Sequence, residues 1–166
     1  MDKHIPRKTD YSGHQIDVEA LQSIARPVDI ERVTLSIADR PPKVVGGVQK
    51  LVQRYAITFL SVIRDVHFDP DQGSEFMRQV FGGRIQDMGR LLNVFAESNL
   101  RVIQQLKSDD NSPDVFGEQP DDEKIEKARL LDADINYATQ TIMLRVALTT
   151  AGGDKIEFLV PAQAPR

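Results

Sequence analysis

The chain of 166 residues contains no cysteine. That excludes disulfides, thiolate metal sites and cysteine nucleophiles, fits a reducing compartment, and leaves stability to packing or to partners. Long apolar runs are missing as well. The longest, "YAITFLSVI" (55–63), is about half of a spanning helix, and the charged N-terminus MDKHIPRKTDYSG is not followed by the apolar stretch of a signal peptide. The expectation is a soluble intracellular protein. Histidine is scarce: His4 and His14 sit in a polar arm and only His67 has carboxylates nearby, so no histidine-centred acid–base set emerges. Serine-hydrolase, phosphate-loop and dinucleotide fingerprints are absent, and the glycine pairs of "GGVQK" and "FGGR" read as helix caps and breaks. No repeats are evident, and no cofactor is implied.

Charge is short on the basic side, with 21 bases against 25 acids and a net charge of −4. A mildly acidic chain does not draw its affinity from phosphate backbones, so neither nucleic acid nor a membrane surface is expected as partner. The imbalance is local. Ser108 to Glu123 holds seven acids and no base, with two prolines, a glycine and few apolar groups, so it reads as a flexible acidic loop beside a slightly basic body. Arg84, Arg90, Arg101 and Lys107 are spread along one helix without interleaved aromatics, which fits a solvated face or a protein contact.

What is present is enough apolar material, 40%, for one core. Residues 1–30 form a polar arm in which "DVEALQSIA" (17–25) reads as a short helix stopped near Pro27, and 31–166 form a single domain. Val33, Leu35 and Ile37 alternate as in a strand over 33–38. Helical spacing then takes over. Val48, Leu51, Val52, Tyr55, Phe59, Val62 and Ile63 predict an amphipathic helix over 46–64, with Gln49, Lys50, Gln53, Arg54 and Arg64 on its other positions. A short helix is predicted over 74–81 with Ser74 as N-cap, and a longer one over 84–107 on Ile85, Met88, Leu91, Leu92, Phe95, Val102, Ile103 and Leu106, where Glu97 and Arg101 are spaced as an i,i+4 pair. The C-terminal segment is β: "KARLLDADINY", then "TQTIMLRVALTT", then a turn at "AGGD" and a return in "KIEFLVP". The fold class is therefore α+β, two long amphipathic helices and a short one on a largely antiparallel sheet of three to four strands.

The segment "DVHFDPDQGSEF" (65–76) brings His67, Asp69, Asp71 and Glu75 close together. A hard-cation site would draw on Asp69, Asp71 and Glu75 with Gly73 at the bend, but the spacing lacks the further oxygens and the twelfth-position acid of a calcium loop. A turn accounts for every residue: Asp-Pro initiates it, Gly73 permits positive φ, and Ser74-Glu75 start the next helix. For glycoside cleavage, Glu75 with Asp71 is the one pair to nominate. No catalytic residue and no metal ligand is assigned.

"IMLRVAL" in the second C-terminal strand is apolar on both faces, because Met143 and Ala147 accompany the core series Ile142, Leu144, Val146 and Leu148. Such a strand is central in its sheet or is completed by a partner strand. The order of elements resembles the W-like wedge family of phage tail baseplates, which also occurs in type VI secretion machines. The likeness is carried by "GGVQKLVQRYAITFL" (46–60), by the Pro-x-x-Gly link "FDPDQGSEF" (68–76), and by the ending "ARLLDADI", "TIMLRVAL", "IEFLVP"; it covers about 44–161. It implies a non-enzymatic virion protein assembled in the host cytoplasm, contacting other wedge subunits and tail sheath or tube proteins in a large sixfold hetero-oligomer. Some relatives carry a lysozyme label. The family's Glu-Pro-Arg signature before the first C-terminal strand is replaced by "IEKARLL" (125–131), where Glu126 and Arg129 stand one residue further apart and no proline occurs. The expected interface residues are Glu126, Arg129, Met143, Arg145, Ala147, Phe158 and Leu159.

Overall fold

The computed structural model describes residues 17–18, 44–64, 70–112 and 119–163. The expected strand at 33–38 lies outside them. Asp17–Val18 (β1) pairs antiparallel with Val44–Val45 (β2), so these two residues are extended and not the start of the predicted short helix, whose remaining residues lie outside the described ones. Three helices follow, α1 (Val48–Leu60), α2 (Phe76–Phe81) and α3 (Met88–Asp110). The chain then forms β3 (Ile125–Asn136), β4 (Thr141–Thr150) and β5 (Lys155–Gln163), an antiparallel sheet with β4 in the middle. The fold is α+β, as the pattern predicts.

Sheet faces follow from period two and from register. Ile142, Leu144, Val146 and Leu148 of β4 stand opposite Ala162, Val160, Phe158 and Ile156 of β5, and this face packs on the helices. β3 keeps step only by means of irregularities between Ile125 and Lys127 and between Leu130 and Asp132. The second lets Ala128 and Leu130 before it, and Ala133 and Ile135 after it, all pack against the core.

Phe59 sits where the three helices meet, with ring centroids 4.7 Å from Phe76, 5.5 Å from Phe95 and 5.8 Å from Tyr55. Tyr55 in turn meets the edge of Phe158 on β5. Burying rings of this size contributes about 2 kcal/mol or more apiece, so this cluster is the main tie between helices and sheet.

Helix boundaries differ from those of the periodic pattern, for local reasons. α1 stops at Leu60, four residues early, because Ser61 turns extended and Val62 makes a parallel bridge to Ser74. α2 starts at Phe76, not Ser74. The Ser74 hydroxyl accepts the Phe76 N–H and donates to the Phe59 carbonyl, tying the ends of two helices together. α3 starts at Met88, where Asp87 accepts the Arg90 N–H at 2.7 Å, a cap that the apolar pattern does not mark. From that start the inward face is Leu91, Val94, Phe95, Ser98, Val102 and Leu106, while Met88 and Leu92 remain exposed. α1 is less amphipathic than predicted. Lys50, Gln53 and Thr58 are buried beside its apolar residues.

Within the core the Tyr55 hydroxyl donates to Asn99 Oδ1 at 2.7 Å, and Asn99 Nδ2 donates to the Ala128 carbonyl. Burial holds this phenol above its ordinary value of 10.0. The unfolded chain therefore loses the proton first as pH rises, so stability complete below about pH 10 declines above it. In Tyr55→Phe that part of the alkaline decline, at most about 1.4 kcal/mol per pH unit, is expected to disappear from urea titrations run over a pH series. An unchanged slope would contradict the burial account.

Candidate functional site

The described residues that lead into α2 are held from α3. Asp71 and Gly73 supply carbonyls to Gln105 Nε2 at 2.7 and 3.2 Å, the Gly73 N–H donates to Gln105 Oε1, and Arg101 donates to the Asp71 carbonyl. Arg101 thus turns to this backbone oxygen. Gly73 has φ of +112°, and a Cβ there would stand 2.7 Å from the Ser61 carbonyl oxygen, so glycine is needed for both conformation and space. Glu75 is paired with Arg78 at 2.7 Å on the open surface. His67 and Asp69 lie outside the described residues. Among the described residues no three His, Asp or Glu side chains are grouped as metal ligands.

The acidic stretch behaves differently from a free loop at both of its described ends. Ser108 to Asp110 form the last turn of α3, and residues 119–123 return beneath α1, while 113–118 lie outside the described residues. Glu123 is fully buried: one carboxylate oxygen accepts the Gly47 N–H at 2.8 Å and the other meets the Lys50 ammonium at 2.7 Å. Arg54, one turn on from Lys50, donates to Asp110 Oδ1 at 2.9 Å, to Gln119 Oε1 at 2.7 Å and to the Glu123 carbonyl. The other oxygen of Asp110 accepts the Ile125 N–H at the start of β3. These charges are kept from water because each has partners of opposite sign and further hydrogen bonds. The sequence carried two signals for this clasp, an i,i+4 pair of bases at Lys50 and Arg54 and seven unbalanced acids in one stretch.

The outer face of the sheet is covered by no described element. Its rows across β3, β4 and β5 read Lys127–Thr149–Lys155, Arg129–Ala147–Glu157, Asp132–Arg145–Leu159 and Asp134–Met143–Pro161. An apolar strip of Ala147, Met143, Leu159 and Pro161, each half-buried, thus lies among bases at one end and acids at the other. Of the expected interface residues, Met143, Arg145, Ala147 and Leu159 come together here, and Arg145 lies 3.7 Å from Glu157 on the same face. Arg129 joins them on β3, and Glu126 is exposed at the first irregularity. Phe158 is the exception. It points inward, 3% exposed, against Tyr55, and belongs to the core and not to the surface.

The two edges of the sheet are unlike. Thr150 donates to the Asp154 carbonyl, which sets the phase of the β4–β5 ladder and turns the backbone groups of Lys155, Glu157, Leu159 and Gln163 to the free side. Pro161, which has no N–H, falls in this outward set, the position where an edge strand tolerates proline. On β3 the outward groups are partly occupied: the Ile125 N–H by Asp110, the Ala128 carbonyl by Asn99 and the Ala133 N–H by Asp132 Oδ1, with an irregularity between. β3 is therefore the guarded edge, and β5 before Pro161 is the open one among the described residues.

No protein-family model matches the chain, and no curated protein matches it in sequence.

Two tests follow from this geometry. Gly73→Ala should cost at least about 2 kcal/mol in urea unfolding, whereas Gly83→Ala, whose φ is +62° with nothing within 4 Å of the added Cβ, should cost about 1 kcal/mol. Equal losses would show that the Ser61 contact is unimportant. Lys50→Met and Glu123→Gln are each expected to cost about 3–5 kcal/mol, as when one member of a buried pair is lost. The double variant should cost less than the sum by at least about 1 kcal/mol; strict additivity in the same unfolding series would argue against a coupled pair.

Proposed function

We propose that this protein is a non-enzymatic structural subunit of a contractile-tail type baseplate, a wedge component that joins neighbouring subunits through its C-terminal sheet. The observation that carries this reading is the pairing of a mixed sheet face with a β5 edge, neither of which a described element covers. An apolar strip ringed by charges has the composition of a protein contact, and an unpaired edge accepts a strand through main-chain hydrogen bonds while the side chains select the partner. The order of helices, turn and terminal strands, similar to that of the W-like family, supplies the kind of assembly: other wedge proteins and the sheath or tube of a sixfold tail. In this reading the core holds the sheet rigid, and the clasp fixes the start of β3 so that the docking face is preformed, which lowers the ordering cost of association.

Co-expression with the products of adjacent genes followed by native mass spectrometry tests the assembly. A defined hetero-complex is expected. Leu159→Asp combined with Met143→Asp should abolish it without lowering the melting temperature by more than a few degrees, since both residues lie outside the core. Glu157→Pro removes one outward N–H from the β5 edge and leaves the β4 ladder intact, and is also expected to abolish the complex, while Glu157→Gln should not. A monomer that ignores every neighbouring gene product, or a complex indifferent to all of these changes, would defeat the reading.

A further inference from the structure

At the end of the sheet remote from the clasp, a groove of about 400 Å³ lies between the end of α2 and the β3–β4 turn. Its floor is Val80, Ile85, Ile135 and Ile142, and it is flanked by Phe81 and Tyr137, which are 50% and 64% exposed. Three carboxamides, Gln86, Asn136 and Gln140, also line it, and none of the described lining residues is charged. We propose that this groove binds an extended, uncharged peptide segment of another protein, anchored by one aromatic or branched aliphatic side chain. The contact is separate from the outer sheet face and does not depend on which assembly that face serves.

The lining selects the occupant. An ionised group entering the groove would lose water with no counter-charge among the described lining residues to replace it, so neutral chemistry is favoured. The apolar floor takes a side chain of the anchor type that dominates binding energy at protein contacts. Carboxamides both donate and accept, which matches the alternating N–H and carbonyl groups of an extended backbone. Asn136 is already oriented for this: its Oδ1 accepts the N–H groups of Ala138 and Thr139 at 3.1 Å, which leaves the NH₂ as its donor. Both walls are set before any ligand arrives. Gly83, at φ of +62°, donates to the Val80 carbonyl to close the α2 end, and Gln140, at φ of +55°, closes the hairpin turn. A preformed groove with exposed aromatic walls loses little conformational freedom on binding.

The test uses the full chain, ¹⁵N-labelled, titrated with acetyl-Val-Phe-Val-amide and with acetyl-Glu-Phe-Glu-amide, while amide shifts are followed. Saturable shifts confined to Val80–Gln86 and Ile135–Ile142 are expected with the neutral peptide, and binding about tenfold weaker with the charged one. Phe81→Ser with Tyr137→Ser, two exposed positions that leave the core intact, should weaken the neutral peptide by about tenfold or more, the scale of losing anchor side chains. The proposal is overturned if the neutral peptide causes no saturable shift, if the double variant binds it equally well, or if the two peptides bind alike. Binding that appears only after residues 164–166 are deleted would assign the groove to the chain's own tail and likewise overturn it.

Discussion

Glu123 holds the most consequential position in the molecule, a carboxylate wholly withdrawn from water between the amide that opens α1 and the ammonium of Lys50. A charge in such a place is tolerable only while its partners stay put, since an ion buried alone would cost several kcal/mol. The chain that precedes β3 is therefore fastened to the first turn of α1. Arg54 extends the constraint by one helical turn, gathering Asp110 from the end of α3, Gln119, and the Glu123 carbonyl. Three elements far apart in sequence converge on two basic side chains. Hydrophobic burial supplies the attraction between helices and sheet, but it is non-directional; the clasp determines where β3 begins.

From that fixed start the behaviour of the sheet follows. Asp110 and Asn99 occupy backbone groups on the outer side of β3, and Asp132 occupies another. The same contacts that dock the sheet on α3 thereby protect one edge from stray pairing, which an exposed strand otherwise invites. No described side chain does this for β5, where proline alone interrupts the row of donors. The asymmetry gives the sheet a direction: helices behind it, one guarded flank, one accepting flank, and a mixed face in front. Such a division would suit the subunit role proposed above, in which several neighbours are met without aggregation of the protein through itself.

The described part of the segment between α1 and α2 is tied down through its backbone. Asp71 and Gly73 offer backbone oxygens to Gln105, and Glu75 faces Arg78. Proline and glycine were the informative letters there, because they restrict or permit backbone angles irrespective of environment. Acidic letters were not. Glu123 and Asp110 look like every other acid of their stretch, and only the approach of Lys50 and Arg54 separates them from an acid such as Asp121, whose side chain is largely exposed.

The sequence by itself determined the fold class, the three C-terminal strands with the inward series of the last two, the three helices after Gly46, and the turn at Gly73. Each of these depends on periodicity or on backbone geometry within a few residues. It also brought Met143, Arg145, Ala147 and Leu159 onto one face, since alternation along neighbouring strands is local; the same alternation puts Phe158 on the core side, against its expected place at the interface. Tertiary structure alone decided which polar residues of α1 were buried, which acids were paired, which flank of α3 stayed exposed, and which sheet edge was open. Those outcomes depend on contacts between segments tens of residues apart. The free energy of a charge or an unpaired amide is set by what stands across from it, and a one-dimensional pattern does not contain that distance.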